Sequence, residues 1–350
     1  MVKSFKISKF NIDDKNIFII AEIGVNHNGN LRVAKKLISE AKKAGANCVK
    51  FQTYEPHNLV DKNALKAKYQ QKNTKDKKET QYEMLEKLKL SKNDHIELVK
   101  FCKKKKIIFL STPYNFSDAD FLNKINVPAF KLSSMHLTEY KFIEYVSLKK
   151  KPIIISTGMA SEKDVSKAVK ILKKNLGNKF ILMQCTTDYP TKIEDANIKV
   201  IKNFKQKFNC HVGYSDHTMG VLATLLSLPL GIVAIEKHFT LNKQMKGPDH
   251  KCSLEPNEFK KLIDQIKVAK SLLGSEEKKI SYAEKINSKI MKRSLYTKKR
   301  ILKNNKITFF DLEFKRPLNG IPASFAEKVI GRIAKKKIEK NTKLNWKHFK

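Results

Sequence analysis

Short apolar runs alternate with amphipathic stretches along most of this chain. Runs of strand length fall at about 17–21, 47–51, 107–110, 128–132, 152–156, 179–185, 211–214 and 232–236. Between them, and after the last, lie stretches whose apolar residues recur at helical spacing. These are about 31–44, 92–105, 117–125, 138–148, 162–175, 197–208, 219–229 and 256–273. Continuous apolar strands separated by amphipathic helices predict a parallel sheet covered on both sides. Eight such units in about 270 residues predict a closed (β/α)₈ TIM barrel. A doubly wound open sheet is the competing architecture, but no Gly-x-Gly-x-x-Gly follows the first strand.

Two segments depart from the alternation. Glu55 to Leu90 is too long for an ordinary loop and is polar and charged, which predicts a cap over the barrel mouth. After Gly274 a charged connector, 276–292, leads to Arg293-Ser-Leu-Tyr and a new pattern of short segments with Gly and Pro punctuation. This predicts a barrel over 1–275 and a small second domain over 293–350. A domain that small is marginal alone and is expected to pack on the barrel or on a partner subunit.

In such barrels chemistry gathers at the C-terminal ends of the strands. The strand ends here carry Glu22, Lys50 and Gln52, Ser111-Thr112, Lys131 with Ser133 and Ser134, Ser156-Thr157, Thr187 and Tyr189, Ser215 and His217, and Glu236 and His238. Asp249 follows the last strand. Ser-Thr-Pro and Ser-Thr-Gly are also ordinary turn chemistry. A lysine inside an apolar strand is different, because a buried ammonium costs several kcal/mol unless it is paired. Lys50 and Lys131, near one mouth with hydroxyl-bearing tips, suggest a bound phosphate or carboxylate; a surface salt-bridge role is the alternative. His217 and His238 end neighbouring strands, with Asp216 and Glu236 beside them. Two imidazoles leave open positions on a divalent ion, as a Lewis acid requires. Mn²⁺, Zn²⁺, Co²⁺ and Fe²⁺ all suit such a donor set. Together with the carboxylate of Glu22, the site suits addition of an anionic carbon nucleophile to a polarised carbonyl.

The formal net charge of +38 raises nucleic-acid binding as a function of another class. The lysines are spread along helix outer faces without the interleaved aromatic residues of a stacking platform, so no nucleic acid is expected. The five cysteines show no metal or redox spacing and read as reduced buried thiols. No apolar stretch approaches the roughly 20 residues needed to cross a bilayer, and the N-terminus lacks a signal-type apolar region. A cytoplasmic protein without a membrane partner is the expectation.

At these residues the chain resembles the sialic acid synthase family. The resemblance rests on Phe18-Ile-Ile-Ala-Glu-Ile-Gly-Val-Asn-His-Asn-Gly29, Val49-Lys-Phe-Gln-Thr53, Leu110-Ser-Thr-Pro113, Ser156-Thr-Gly-Met159, Tyr214-Ser-Asp-His-Thr218, Glu236-Lys-His-Phe-Thr240 and Gly247-Pro-Asp-His250. Arg293-Ser-Leu, Lys315-Arg-Pro-Leu-Asn-Gly320 and Ile330-Gly331 resemble the antifreeze-like (SAF) domain of those enzymes. The ordered set spans nearly the whole chain.

The resemblance implies condensation of phosphoenolpyruvate with an N-acetylmannosamine-type sugar, giving a nine-carbon 2-keto acid and phosphate. It implies phosphoenolpyruvate contacts at Lys50, Thr112, Lys131, Ser134, Ser156, Thr187 and Ser215, with Thr187 replacing an asparagine found in some members. It puts a divalent metal, manganese or magnesium with cobalt also compatible, on His217 and His238. Sugar contacts fall to Gln52, Tyr189 and Asp249. Arg316 is expected to reach the barrel of the other subunit in a domain-swapped homodimer. Glu22 is the candidate for handling the proton of water, with simple pairing to Lys50 as the alternative. One motif departs: members usually show Lys-x-x-Ser-Gly-Glu after strand four, the glutamate binding the sugar. Here Lys131-Leu-Ser-Ser-Met-His136 places His136 where that acid stands, so His136 is expected at the sugar. Lys50-Phe-Gln, Tyr214-Ser-Asp-His and Gly247-Pro-Asp-His-Lys251 look closer to the legionaminate branch than to the pseudaminate branch. An N,N'-diacetyllegionaminate synthase acting on 2,4-diacetamido-2,4,6-trideoxymannose is therefore the alternative reading.

Overall fold

Eight parallel strands organise residues up to Gly274 in the computed structural model, which describes residues 2–76 and 78–350. They are β1 (Phe18–Gly24), β2 (Cys48–Thr53), β3 (Ile108–Pro113), β4 (Phe130–Leu132), β5 (Ile153–Ser156), β6 (Phe180–Cys185), β7 (His211–Asp216) and β8 (Ala234–His238). The hydrogen-bonded order is β3-β2-β1-β8-β7-β6-β5-β4. Because β1 pairs on one side with β2 and on the other with β8, the sheet curls round, and β3 and β4 meet to leave it nearly closed. This is the expected TIM-type barrel.

The strands differ from the sequence expectation mainly at their ends. β1, β2 and β3 run on past their apolar runs through Glu22, Gln52 and Thr112, because the ladder continues where the barrel interior turns polar. β4 begins only at Phe130, since Pro128 has no N–H to give a neighbour. The helices keep close to their expected bounds where caps are clear. Asn30 opens Leu31–Ala44 by accepting from the N–H groups of Arg32 and Val33, and Gly45 at φ 102° closes it. The 219–229 stretch shortens to a helix over Leu222–Ser227 and a 3₁₀ turn over Leu228–Leu230 around Pro229.

Two apolar layers hold the barrel. One lies between strands and helices. The other fills the interior with Phe18, Ile20, Leu110, Ile154, Ile181 and Met183. Phe5, Ile7 and Ile12, from an N-terminal hairpin of Phe5–Ile7 and Phe10–Ile12, join that interior layer. The hairpin escaped the sequence reading because three-residue strands give too short a period to register.

Side-chain alternation corrects one expectation. Ser215 and Glu236 face the interior, whereas Asp216 and Lys237 face the helices, so Asp216 does not stand beside the histidines. Asp216 instead pairs with Lys237 at 2.9 Å, both fully buried. Its carboxylate accepts from the Thr218 N–H and hydroxyl and from the Thr224 hydroxyl, while Lys237 donates to the Thr218 carbonyl.

Residues Ser275–Lys350 form a second unit. The expected connector 276–292 contains a helix, Tyr282–Met291, because Ser281 and Glu284 make a capping box. Beyond it, strands Ser294–Thr297 and Leu312–Lys315 pair antiparallel over a core of Leu295, Ile301, Leu312, Val329 and Leu344. No helix of the described residues is long and apolar enough to cross a membrane.

Removing one member of a hydrogen-bonded buried pair strands the other charge. Asp216→Ala should cost about 3–5 kcal/mol in urea unfolding. The double variant Asp216→Leu/Lys237→Met should recover most of that loss; a double variant as unstable as the single one would contradict this account.

Candidate active site

A cavity of about 400 Å³ opens at the C-terminal ends of the strands. Its floor is a buried charge cluster. Lys50 Nζ lies 2.7 Å from Glu22 Oε1, and Lys131 Nζ lies 3.5 Å from Glu236 Oε1. Lys131 also donates to the Ser156 hydroxyl at 2.6 Å and to the Leu132 carbonyl at 3.2 Å. Ser215 donates to Glu236 at 2.9 Å. All four charged residues are at most 5% exposed, which rules out the surface salt-bridge alternative for both lysines.

The cluster shifts its own titrations. Burial raises the Glu22 carboxyl to about 8; the Lys50 ammonium works against this, and the nearby Glu236 adds to it. Burial pulls Lys50 down, but Glu22 and Glu236 outweigh it and its pKa rises to about 12. Burial lowers Lys131, partly offset by Glu236. Burial also opposes the Glu236 charge, but Lys131, Lys50 and Ser215 together hold that carboxyl below its usual range. Glu22 therefore both pairs with Lys50 and keeps a proton available near neutrality.

The two histidines face this cluster with ring centres 5.5 Å apart. His217 Nδ1 lies 2.7 Å from the Thr186 carbonyl, which can only accept, so Nδ1 carries the proton and Nε2 the free lone pair. Burial lowers His217 to about 4 and pushes His238 well below the ordinary histidine range. Both rings are thus neutral. His238 Nδ1, Glu22 Oε2 and Glu236 Oε2 are buried and lack hydrogen-bond partners among the described residues. Orphaned acceptors of this kind fit a bound divalent cation. No group of three or more His, Cys, Asp or Glu among the described residues is arranged as a metal cage. A cation here would have two imidazoles and open positions.

Around the floor stand Gln52, Ser134, Thr187, Tyr189 and Asp249. Ser134 Oγ accepts from the Gly158 N–H at 3.0 Å, and a Cβ on Gly158 would strike Thr187 Oγ1, so glycine there lets the two hydroxyls converge. Tyr189 packs on His217 at 4.2 Å between ring centres. Burial raises Asp249 to about 6.

Two expected site residues do not line the cavity. Thr112 is fully buried in β3 and does not line the cavity. His136 is also fully buried and turned away; its Nδ1 takes the Ser133 N–H to cap its own 3₁₀ turn, and its ring packs on Phe142. Neighbouring Met135 lines the cavity in its stead. Arg316, expected at the barrel of another subunit, is an exposed residue of the second unit. Sequence reading missed Tyr69, Gln70, Gln81, Met84 and Leu88 of the capping segment, which folds as helices Lys68–Thr74 and Gln81–Leu88 and lines the cavity. The Thr80-x-x-Glu83 capping box marks the start of the second helix.

The NeuB family profile matches residues 37–278, and the SAF domain matches residues 292–350. The chain belongs to the NeuB family. It is 43% identical over 324 residues to the N,N'-diacetyllegionaminic acid synthase of Campylobacter jejuni, covering 92% of this chain and 97% of that protein. It is 36% identical over 346 residues to a pseudaminic acid synthase of Campylobacter jejuni, covering 99% and 100%. Among solved structures it is similar to the N-acetylneuraminic acid (sialic acid) synthetase of Leptospira borgpetersenii in complex with citrate. That match has a TM-score of 0.73 and 30% identity, and covers 82% of this chain and 95% of that one. The family expected from the ordered motifs is therefore the family found.

Burial also gives this NeuB-family barrel a pH signature. His27 is lowered to about 3, and His136 and His250 to about 4. Unfolded histidines titrate near 6.5. A histidine with a depressed folded value contributes stability above its unfolded value and loses it as pH falls. Glu22, Asp118 and Asp249, raised to about 8, 6 and 6, act in the opposite sense, but the depressed imidazoles, His95 included, outweigh them. Melting temperature should fall by several degrees between pH 7 and pH 5. A flat calorimetric profile over that window would be the contrary result.

Proposed function

We propose that this protein condenses phosphoenolpyruvate with the open-chain aldehyde of an N-acylated mannosamine-type sugar, releasing phosphate and a nine-carbon 2-keto sugar acid. The observation that carries the reading is the buried floor of Lys50 and Lys131, paired with Glu22 and Glu236, beside the neutral pair His217 and His238. Relatives named as legionaminic and pseudaminic acid synthases support it.

Phosphoenolpyruvate brings a phosphate and a carboxylate, and Lys50 and Lys131 offer it two buried ammonium groups. Ser134, Ser156, Thr187 and Ser215 add hydroxyl donors round the same space. C3 of phosphoenolpyruvate forms the new bond to the aldehyde carbon, and the aldehyde oxygen gains a proton. Water adds at C2 and gives up a proton; the C2–O bond then breaks and phosphate leaves. Glu22, with its carboxyl raised to about 8, holds or takes a proton near neutrality and suits both transfers. His217 and His238 would hold the divalent cation, manganese or magnesium, which when bound supplies Lewis-acid polarisation of a carbonyl oxygen. Gln52, Tyr189 and Asp249 are left to hold the sugar. Arg316, exposed on the second unit, is proposed to complete the mouth of a second copy in a swapped homodimer. Five buried free cysteines accord with a reducing, cytoplasmic setting.

Phosphate release from phosphoenolpyruvate should require both manganese and an N-acylated hexosamine. No release across a panel including N-acetylmannosamine and 2,4-diacetamido-2,4,6-trideoxymannose would sink the proposal. His217→Ala should lower turnover about a thousandfold, in line with several kcal/mol of lost charge stabilisation, with an unchanged circular dichroism spectrum. Lys131→Met should act chiefly by raising KM for phosphoenolpyruvate.

A further inference from the structure

The capping segment supplies one side of the cavity as an apolar wall of Leu59, Val60, Met84, Leu85 and Leu88. It also supplies Tyr69, from the first turn of helix Lys68–Thr74. The Tyr69 ring lies 4.9 Å from that of Tyr189, between centres. The Tyr189 ring in turn lies 4.2 Å from His217 and 5.6 Å from His238. A continuous row of rings therefore runs from the cap to the strand ends.

This row matters because little else orients the two imidazoles. A metal-binding imidazole is ordinarily aimed by a hydrogen bond at its other nitrogen. His217 has one, from Nδ1 to the Thr186 carbonyl. His238 Nδ1 has none among the described residues, and the Asp249 carboxylate stands 4.0 Å from it. His238 is therefore aimed by packing, and Tyr189 packs on both rings. Tyr189 itself stands on the loop after β6 and is only half-buried, so its placement needs a backing. Tyr69 is that backing. Its own segment is anchored independently of the histidines. Buried Lys66 donates to Glu79 at 2.6 Å and to Thr74 at 3.0 Å, and Asn73 donates to the Pro248 carbonyl.

We infer that Tyr69 is a positioning residue: through Tyr189 it holds His217 and His238 in the arrangement that receives a divalent cation, and so couples the placement of the capping segment to occupancy of that site. The inference rests on the cation role proposed above for the two histidines. Coupling of this kind is reciprocal. A cap seated on Tyr189 raises affinity for the cation, and a bound cation holds the cap down.

The test measures Mn²⁺ binding directly, by the electron paramagnetic resonance signal of the free ion, in the full chain without substrates. An aromatic pair shifts an equilibrium by roughly two- to tenfold, so Tyr69→Leu should raise the Kd for Mn²⁺ about fivefold. Tyr69→Phe, which keeps the ring, should bind as the unaltered protein does. Mn²⁺ should also slow tryptic cleavage after Lys68 and Lys72 in the unaltered protein, and Tyr69→Leu should lose that protection. A folded Tyr69→Leu protein that binds Mn²⁺ as tightly as the unaltered one overturns the inference and leaves the condensation standing. So does a Tyr69→Phe protein that binds as weakly as Tyr69→Leu, because the role would then belong to the hydroxyl. Circular dichroism checks the fold of both variants. If leucine unsettles the cap, the tryptic assay on the unaltered protein still decides: cleavage that Mn²⁺ does not slow overturns the coupling. Absence of Mn²⁺ binding by the unaltered protein overturns both the cation role and this inference.

Discussion

The burial of two ammonium groups in the barrel mouth is the constraint on which the site depends. Neither Lys50 nor Lys131 could remain charged there alone. Each is tied to a carboxylate, Glu22 and Glu236, and Lys131 leans on Ser156 as well. The pairs are not equivalent. Glu22 sits where burial dominates and its carboxyl rises, whereas Glu236 sits between two lysines and a serine hydroxyl and its carboxyl falls. Two glutamates lining one cavity thus separate into a proton-carrying group and a fixed anion. That division follows from environment alone.

The barrel makes this possible through strand alternation. On β7 and β8 the inward residues are Ser215, Glu236 and His238, and the outward pair is Asp216 and Lys237. A one-residue slip of either strand would exchange the interior cluster for the exterior ion pair. The outward pair, locked by Thr218 and Thr224, helps fix the register on which the inward set depends. Stability and chemistry are carried by adjacent residues on opposite faces of the same two strands.

The barrel was legible in the sequence because eight buried parallel strands leave continuous apolar runs separated by helical spacing. The floor was legible for a related reason: charged residues inside such runs have few explanations other than a site. Legibility stopped where side-chain direction is set by contacts too local for a period. Asp216 and Glu236 look alike in sequence, yet only Glu236 faces inward. His136 looks available but spends its ring on capping Ser133 and packing against Phe142. Thr112 ends a polar tip but lies under the cavity surface. The capping segment was recognised by length and charge. Its inner face was not, because two short helices of seven and eight residues give only one or two apolar positions per turn.

That inner face and the charged floor are built on different parts of the molecule. The floor is built on strand ends, where the ladder fixes every side chain and small displacements are resisted by the whole barrel. The wall is built on an inserted segment, held to the barrel through contacts such as Asn73 to the Pro248 carbonyl and Tyr69 against Tyr189. Substitutions in the wall leave the strand ladder untouched, so this side of the cavity can vary without disturbing the charges on the floor. A scaffold arranged in this way can keep its floor while its wall changes. Relatives of this chain bear the names of synthases for different sugar acids, as that arrangement would allow.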